Sequence, residues 1–475
     1  MMAAAHIRRE LNRLDLREIA TALRTGQTSA AALMELTLDR AKALNPRLNA
    51  IVSLWEERAL DDARKADKER ALGFFRGPLH GVPLAHKDMF YRAGVPCSVG
   101  LSVPFAIPTD TAAVLERLDS AGAIQFGALN LAELAYGPTG HNYHLGHCRN
   151  PWNTDYISGG SSSGSAVAVA ARLSFAALGS DTAGSIRLPA AACGVTGLKV
   201  TQGRISRTGS IPGSFSMDTV GIIARSAADC AMLLDILAEP KAGGRIPSGN
   251  LAGDHVGVSN RKPPVLRIGV PKLSSDDVSP EIGLAIEEAL NMLGELGCKV
   301  VPVVLPDLTR YDVAGFQVMA SEISATYRTQ LTQSPHTFSD QMQARLQRGL
   351  VIPATTYIDA LRFRGVALRE FRSQVFGSVD VLVLPCLTLP TPTIAETDIG
   401  GRPDIDQMIS RLVTYLRPIS FLGLPSLSIP IGFQAIGLPI GMQLVGRPYD
   451  EATLLSVGEA FQFQTDWHRR VPPLC

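Results

Sequence analysis

The sequence predicts an α/β fold built as one large domain, with a mixed β-sheet covered by helices on both faces. Helical and strand-like stretches alternate, as in TAAVLERLDSAGA followed by AIQFGALN. The alternation continues through VLRIGVP, VDVLVLP, SLSIPIGF and GMQLVGRP to the C-terminal end. With 475 residues, 46% of them apolar and 19% charged, the chain can bury a large core.

We expect this single domain to span 1–475 in three parts: a helical N-terminal region at about 1–75, a core at about 76–235, and a C-terminal α/β portion at about 265–475. Small residues dominate 149–209, and this stretch is too apolar to stay solvated, so we expect it to be buried. The Gly-, Pro- and Lys-rich segment 239–264 predicts a flexible excursion between the last two parts.

Charge and cysteine content restrict the class of partner and the compartment. The formal net charge is +1, which excludes steering toward nucleic acid or an anionic membrane by the whole molecule. The N-terminal residues lack a long apolar run, and seven cysteines are spread singly without a CxxC pair. We therefore predict a cytoplasmic protein with reduced thiols, a small-molecule substrate, and neither a nucleic-acid nor a membrane partner.

Chemistry-bearing residues collect near two glycine- and serine-rich loops and one strand end. The strand-like VPLAHKDMF carries Lys87, GGSSSGS covers 159–165, and DTAGSIRLP covers 181–189. A flexible linker is the structural alternative for GGSSSGS alone, but its apolar flanks favour a buried loop. In DTAGSIRLP a strand breaks into small residues, so successive backbone N–H groups can point into one cavity and bind an oxyanion.

A serine hydroxyl becomes a strong nucleophile only when a base removes its proton. Neither loop contains histidine. A lysine can replace it if burial lowers its pKa from about 10.4 toward about 7 to 8. Lys87 follows apolar strand residues, where burial is expected, although a single lysine is far more often a solvated surface group.

The combination of GVPLAHKD, GGSSSGSA and GSDTAGSIRLPAAACGVTGLKVT resembles the Lys region and the glycine/serine signature of the amidase signature family. LNPRLNAIV, RNPWN, GRIS, FSMDTVG and GLPIGMQLVGRPYDEATLL extend the resemblance over most of the chain. The family includes amidases similar to the A subunit of amidotransferases. The resemblance implies the amidase signature fold and hydrolysis of a linear amide C–N bond, with no cofactor and no metal.

The resemblance also implies a Ser–cisSer–Lys catalytic triad. The nucleophilic serine of that family follows the bridging serine by 24 positions, which selects Ser161 as the bridge and Ser185 as the nucleophile. Lys87 would be the base. By the same resemblance Ser162 is a structural neighbour. Proton transfer from Ser185 through Ser161 to Lys87 would give an acyl-enzyme that water then hydrolyses.

Further site residues follow from the same resemblance. Thr182, Ala183, Gly184 and Ser185 match the family's oxyanion hole, and Ala135, Tyr136 and Gly137, together with Ser161, match its substrate-binding positions. A packed loop is the structural alternative for 135–137.

The chain departs from the family pattern at Ser163 and Ala183, where glycine is common, and Ala183 tolerates fewer backbone conformations. Asp181 and Arg187 are expected to brace the nucleophile loop, while a surface ion pair is the alternative.

Three histidines in GHNYHLGH, His141, His144 and His147, raise the competing possibility of a metal site. Gly140 and Gly146 argue against a helix that presents all three, and only Cys148 accompanies them as a further ligand. We expect these histidines to support the wall of the pocket instead.

The leading hypothesis is a serine amidase that hydrolyses a small or aryl amide, extending to carbamates or esters, because one acyl-enzyme chemistry serves all three. The alternative is the glutaminase (A) subunit of a tRNA-dependent amidotransferase, which works with a partner protein. A noncatalytic protein whose glycine-rich loops bind phosphate is a third, weaker hypothesis, and the sequence lacks the usual GxGxxG or GxxxxGK[ST] context for it.

The segments 306–365 and 388–420 are expected to shape the acyl and leaving-group pockets. The sequence does not define the substrate, and it leaves a homodimer open.

Overall fold

An 11-stranded mixed sheet organises the molecule, in the order β1-β3-β2-β4-β6-β5-β10-β11-β9-β7-β8. The computed structural model describes residues 13–238, 265–273, 277–398 and 404–475. The predicted excursion at 239–264 and the first twelve residues lie outside this described part. Because one continuous sheet runs through the whole set of described strands, the predicted α/β class and mixed sheet are confirmed.

The strands are β1 Ile51–Leu54, β2 Pro83–Lys87, β3 Ile124–Leu129, β4 Ala176–Asp181, β5 Thr196–Lys199, β6 Thr219–Ala224, β7 Arg267–Pro271, β8 Lys299–Val303, β9 Val381–Pro385, β10 Ser426–Phe433 and β11 Pro439–Val445. The helices are α1 Leu16–Thr25, α2 Ala30–Leu48, α3 Glu56–Ala71, α4 Ala113–Ser120, α5 Ser163–Ala170, α6 Arg187–Cys193, α7 Ala227–Leu237, α8 Pro280–Glu295, α9 Leu308–Gln333, α10 Asp340–Leu350, α11 Ala354–Gln374, α12 Ile394–Thr397, α13 Ile405–Arg411, α14 Arg417–Phe421 and α15 Glu451–Gln464.

The first part of the sheet is parallel where the candidate site lies. Strand β2 pairs parallel with β3 on one side and with β4 on the other. From β4 through β6, β5, β10, β11 and β9 the pairing is antiparallel, and β9, β7 and β8 are parallel again. Strands β2 and β4 therefore end at the same edge, where Lys87 and the loop that carries Ser185 both lie.

Central strands are buried along their whole length because both of their faces are covered. All residues of β2, β3, β4, β6, β9 and β11 are buried. The small-residue stretch around α5 and α6 is buried as well, which confirms the expectation for that part of the sequence. Its alanines and glycines allow these two helices to approach the strands closely.

The N-terminal region is helical except at one strand that periodicity did not reveal. Helix α1 begins at a capping box formed by Asp15 and Glu18 and ends at Gly26 in the left-handed conformation. The four-residue β1 interrupts the helices and pairs antiparallel with β3 at the sheet edge. Among the described residues, no helix is both long and apolar enough to cross a bilayer.

Candidate active site

Lys87 is the last residue of β2, and the serine-rich loop lies directly beside it. Helix α5 begins at Ser163, so Ser161 and Ser162 occupy the turn before its first residue, and the peptide bond between Gly160 and Ser161 is cis. This turn approaches β4 closely: a Cβ on Gly179 would lie 2.7 Å from Ser162 Oγ. Glycine at that position lets the loop sit directly on the strand.

The amine of Lys87 is enclosed by three hydroxyl groups. Its Nζ lies 2.8 Å from Ser161 Oγ, 2.9 Å from Ser180 Oγ and 3.2 Å from Ser162 Oγ. The side chain is 0% exposed. Burial lowers the pKa of Lys87 to about 7, with the carboxylates of Asp218 and Asp181 acting in the opposite sense. A large fraction of the molecules at neutral pH therefore carries an uncharged amine that can accept a proton.

Ser185 lies in the loop between β4 and α6, at the surface of a cavity. Its carbonyl accepts a hydrogen bond from the backbone N–H of Ser162 at 3.3 Å, so the two serine loops are joined directly. Ser185 is partly exposed, whereas Ser161 is buried behind it. The predicted triad residues thus lie in one region: a lysine and a serine in the interior, and a second, partly exposed serine that lines the cavity.

A buried ion pair holds the loop that carries Ser185. Arg187 donates to both carboxylate oxygens of Asp181 at 3.0 Å, and both side chains are 0% exposed. Arg187 also donates to Gln443, to the Leu416 carbonyl and to Ser420. Burial favours the neutral acid at Asp181, but the guanidinium prevails and holds the pKa of that carboxyl well below its usual range. The expected bracing role is present, and the surface alternative is wrong.

The carboxylate of Asp181 also accepts backbone N–H groups of the loop. Gly184 N–H donates to it at 2.9 Å and Ile186 N–H at 3.2 Å. The N–H of Gly184 is therefore already bonded to Asp181, which argues against the expectation that it binds an oxyanion. Thr182, Ala183 and Ser185 stay predicted donors. Gly184, and not Ala183, has the positive φ of 117°, so alanine at 183 is compatible with the backbone of the loop.

Asp218 supports the same loop from the opposite side. Its carboxylate accepts from Thr182 Oγ1 at 2.6 Å and from the backbone N–H groups of Gly213 and Ser214. Burial raises the pKa of Asp218 despite these hydrogen bonds. The sequence analysis did not identify this residue as part of the site, since an aspartate in a loop carries no separate signal until its distant partner is known.

A cavity of about 350 Å³ opens at Ser185. Its floor includes Thr182, Ala183 and Gly184, and its wall includes the predicted positions Ala135, Tyr136 and Gly137. The segments 306–365 and 388–420 supply further parts of the wall, with Phe316, Met319, Ile323, Arg345 and Arg348 from the first and Ile409, Ser410, Val413 and Arg417 from the second. Ser161 does not line the cavity, which corrects its assignment as a substrate contact: its side chain is buried beside Lys87.

The wall of the cavity combines apolar and cationic groups. Arg417 forms an ion pair with Asp312, so its charge is compensated. Arg345 donates to the carbonyl of Tyr136 at 2.7 Å, and no salt bridge to an acidic side chain is formed by Arg345 within the described part of the chain. Sequence reasoning missed Arg345, because an arginine on an amphipathic helix looks like an ordinary solvated residue.

The three histidines do not line this cavity, which corrects the expectation that they support its wall. His144 contacts Glu133 at 3.2 Å, while His141 and His147 stack with their centroids 4.5 Å apart. The atoms of these two histidines and of Asp398 that could bind a metal ion lie within 4.8 Å of one another. However, Nδ1 of His147 accepts the backbone N–H of Asn142, so its Nε2 carries the proton when the ring is neutral.

A large mixed sheet that places a buried lysine, a buried serine and a partly exposed serine beside a cavity is the arrangement expected of an enzyme that cleaves amides. A family model described as Amidase matches residues 32–455. The chain belongs to the amidase signature family and is an amide-hydrolysing enzyme.

Relatives and solved structures agree with this assignment. The A subunit of the glutamyl-tRNA(Gln) amidotransferase from Halorhodospira halophila is 36% identical over 482 residues, covering 96% of this chain and 98% of that protein. A crystal structure of an amidase superimposes with a TM-score of 0.84 at 35% identity, covering 95% of this chain and all (100%) of the other. The 6-aminohexanoate cyclic dimer hydrolase in complex with substrate has a TM-score of 0.85 at 27% identity, with 98% and 99% covered.

Proposed function

We propose that this chain hydrolyses its amide through an acyl-enzyme on Ser185, with Ser161 and Lys87 as the proton relay. The observation that carries the proposal is the contact of the buried Lys87 Nζ with Ser161 Oγ at 2.8 Å. A base with a pKa near 7 is well matched to proton transfer at neutral pH. The partly exposed Ser185 is the hydroxyl of this group that substrate can reach from the cavity.

In the first step Ser185 Oγ attacks the amide carbon while its proton passes to Ser161, and the Ser161 proton passes to Lys87. The protonated lysine then returns a proton through Ser161 to the leaving nitrogen, and the C–N bond breaks. A water molecule repeats the sequence on the acyl-enzyme and releases the acid. Lys87 thus acts as general base and then as general acid, and Ser161 transfers a proton at each step.

The negative charge that develops on the carbonyl oxygen needs donors on the floor of the cavity. We propose the backbone N–H groups of Thr182, Ala183 and Ser185 for this role, since the Gly184 N–H is used by Asp181. One such donor typically contributes about 3 to 4 kcal/mol to transition-state stabilisation. The ion pair of Asp181 and Arg187 keeps these groups in place before substrate arrives.

Two substrate classes remain, a small or aryl amide and the side-chain amide of glutamine. The curated relatives favour the second, because they are named as amidotransferase A subunits and match almost the whole chain. The wall of the cavity adds support, since Arg345 offers a cation to a substrate carboxylate such as the α-carboxylate of glutamine. The apolar Phe316 and Met319 in the same wall suit an aryl or alkyl amide.

Hydrolysis of L-glutamine, benzamide and propionamide by the purified chain tests both parts of the proposal. Ser185→Ala should abolish turnover of every substrate, and activity that survives it would overturn the nucleophile assignment. Under the glutaminase hypothesis, Arg345→Met should raise the KM for glutamine by about tenfold or more, because hydrogen bonds between charged groups contribute about 1.5 to 3 kcal/mol. Turnover of the uncharged amides should change little.

Arg328→Met is the matched control, because it removes an exposed arginine from α9 that does not line the cavity. Equal effects of the two arginine variants would contradict a role for Arg345. A partner protein that co-purifies with the chain and increases its glutaminase activity would favour the amidotransferase hypothesis.

We also propose that 1–475 forms one amidase domain, because a single sheet includes strands from all three predicted parts of the chain.

A further inference from the structure

We propose that Ser180 is a positioning residue that fixes the direction of the hydrogen bond between Ser161 and Lys87. This inference rests on the proton relay proposed above. Ser180 is the penultimate residue of β4, its side chain is buried, and its Oγ lies 2.9 Å from Lys87 Nζ. It does not line the cavity, so it cannot act by touching substrate.

A count of protons shows why the third hydroxyl matters. A neutral amine has two N–H donors and one lone pair, and three hydroxyl oxygens surround the amine of Lys87. All three contacts can be hydrogen bonds only if two hydroxyls accept from the amine and one donates to it. A hydroxyl has one proton and can donate only once.

Ser162 can only accept from Lys87. Its hydroxyl proton is donated to the carbonyl of Ser180 at 3.1 Å, and its oxygen also accepts the backbone N–H of Ser180 at 3.2 Å. The donor to the lysine lone pair must therefore be Ser161 or Ser180. A relay that runs from Ser161 to Lys87 requires Ser161 to be that donor, and the second N–H of the amine must then go to Ser180.

Without Ser180, the second N–H of Lys87 has Ser161 Oγ as its nearest remaining acceptor. The hydrogen bond between Ser161 and Lys87 would then run in the reverse direction, and the lone pair of the amine would no longer face the proton it has to accept. Ser180 thus keeps the base oriented as an acceptor, although it takes part in no proton transfer itself.

The charge state of Lys87 supplies a readout that separates this role from a loss of packing. Ser180 accepts a hydrogen bond from the amine in both charge states, but the bond from the charged amine is the stronger one, so removal of this acceptor destabilises the charged form more. The acidic groups that act on Lys87, Asp218 and Asp181, are unchanged in a Ser180 variant. The acid limb of the pH profile should therefore move to lower pH. Loosened packing that admits water would move it up, toward the ordinary value of 10.5.

The experiment compares kcat/KM against pH for the wild type, Ser180→Ala, Ser180→Cys and Ser180→Thr, with the best amide substrate of the panel. Cysteine keeps the shape of the side chain but replaces the hydroxyl oxygen by a larger sulfur that is a weak acceptor, and threonine keeps the hydroxyl. Ser163→Ala is the control, since Ser163 is a buried serine at the first position of α5 and is not one of the three serines that contact the Lys87 amine.

We expect Ser180→Ala and Ser180→Cys to lose about tenfold to a hundredfold in kcat at unchanged KM, a share of the contribution expected of general base catalysis. Their acid limbs should shift to lower pH, and Ser180→Thr and Ser163→Ala should stay close to the wild type. Full activity in Ser180→Ala, or a limb that shifts to higher pH, would overturn the inference. An inactive wild type would instead refute the proposed function.

Discussion

Replacement of the buried Lys87 by methionine should change the free energy of unfolding by a measurable amount. Burial lowers the pKa of this amine from 10.5 to about 7. One pKa unit corresponds to about 1.4 kcal/mol, so burying the amine of Lys87 costs the folded state about 5 kcal/mol at and below neutral pH. Methionine has a similar length and carries no charge, so the variant avoids this cost.

The hydroxyls around Lys87 reduce the gain. Ser161 and Ser180 lose the amine as a hydrogen-bond partner, while Ser162 keeps its bonds to the backbone of Ser180. Each lost hydrogen bond costs about 1 kcal/mol. We therefore expect Lys87→Met to be inactive but more stable than the wild type by about 2 to 3 kcal/mol at pH 7.

The sign of the pH dependence follows from which state holds the proton. Between pH 7 and 10.5 the unfolded chain keeps a proton on Lys87 that the folded chain has released. Wild-type stability therefore gains about 1.4 kcal/mol per pH unit from this group across that range, and the methionine variant does not. The advantage of the variant should shrink and then reverse as the pH rises.

Urea unfolding of both proteins at pH 6, 7, 8 and 9 provides the assay. The difference between the two free energies of unfolding should be nearly constant below pH 7 and should change steadily above it. A difference that is independent of pH would show that the folded state does not depress the pKa of Lys87, and it would refute the reasoning for a neutral lysine base.

Three further outcomes follow from the site. The kcat/KM for amide hydrolysis should rise with pH through about 7 as Lys87 loses its proton, and a profile that is flat from pH 5 to 9 would contradict this base. Arg187→Met should lower the free energy of unfolding by about 3 to 5 kcal/mol, because it leaves Asp181 buried and unpaired. Urea unfolding measures this loss, and the double variant with Asp181→Asn should recover part of it. No recovery in the double variant would contradict the ion-pair explanation. Gly184→Ala should lower both activity and stability, because the φ of Gly184 is 117° and a Cβ at this position would lie 2.7 Å from Leu416 Cβ. A thermal unfolding temperature and an activity equal to those of the wild type would show that the loop is not constrained there.

Much of the fold and the geometry around the predicted triad could be predicted from the sequence. Strands β2, β3, β9, β10 and β11 were each expected from buried apolar runs, and the structure confirms them. Lys87 was expected at the end of a strand and in contact with Ser161, and it lies 2.8 Å away. These features were visible because local apolar patterns fix the strands, and because a rare combination of motifs carries the resemblance to the family.

The features that the sequence did not reveal depend on pairings between distant segments. Ser180 contacts Lys87 because β4 pairs in parallel with β2. The small residues of β4 do not by themselves determine the register of this pairing. The short β1 has no periodicity of its own and is held by β3. Likewise, Asp218 and Arg345 contribute to the site through loops and helices that the chain brings in from outside the two signature loops.

Fluorophosphonate labelling followed by peptide mapping identifies the nucleophile, because the reagent forms a covalent adduct with an activated serine. We expect one adduct on Ser185 in the wild type, none in Ser185→Ala, and much slower labelling in Lys87→Ala. An adduct on another serine, or labelling of Ser185 at an unchanged rate when Lys87 is removed, would contradict this expectation.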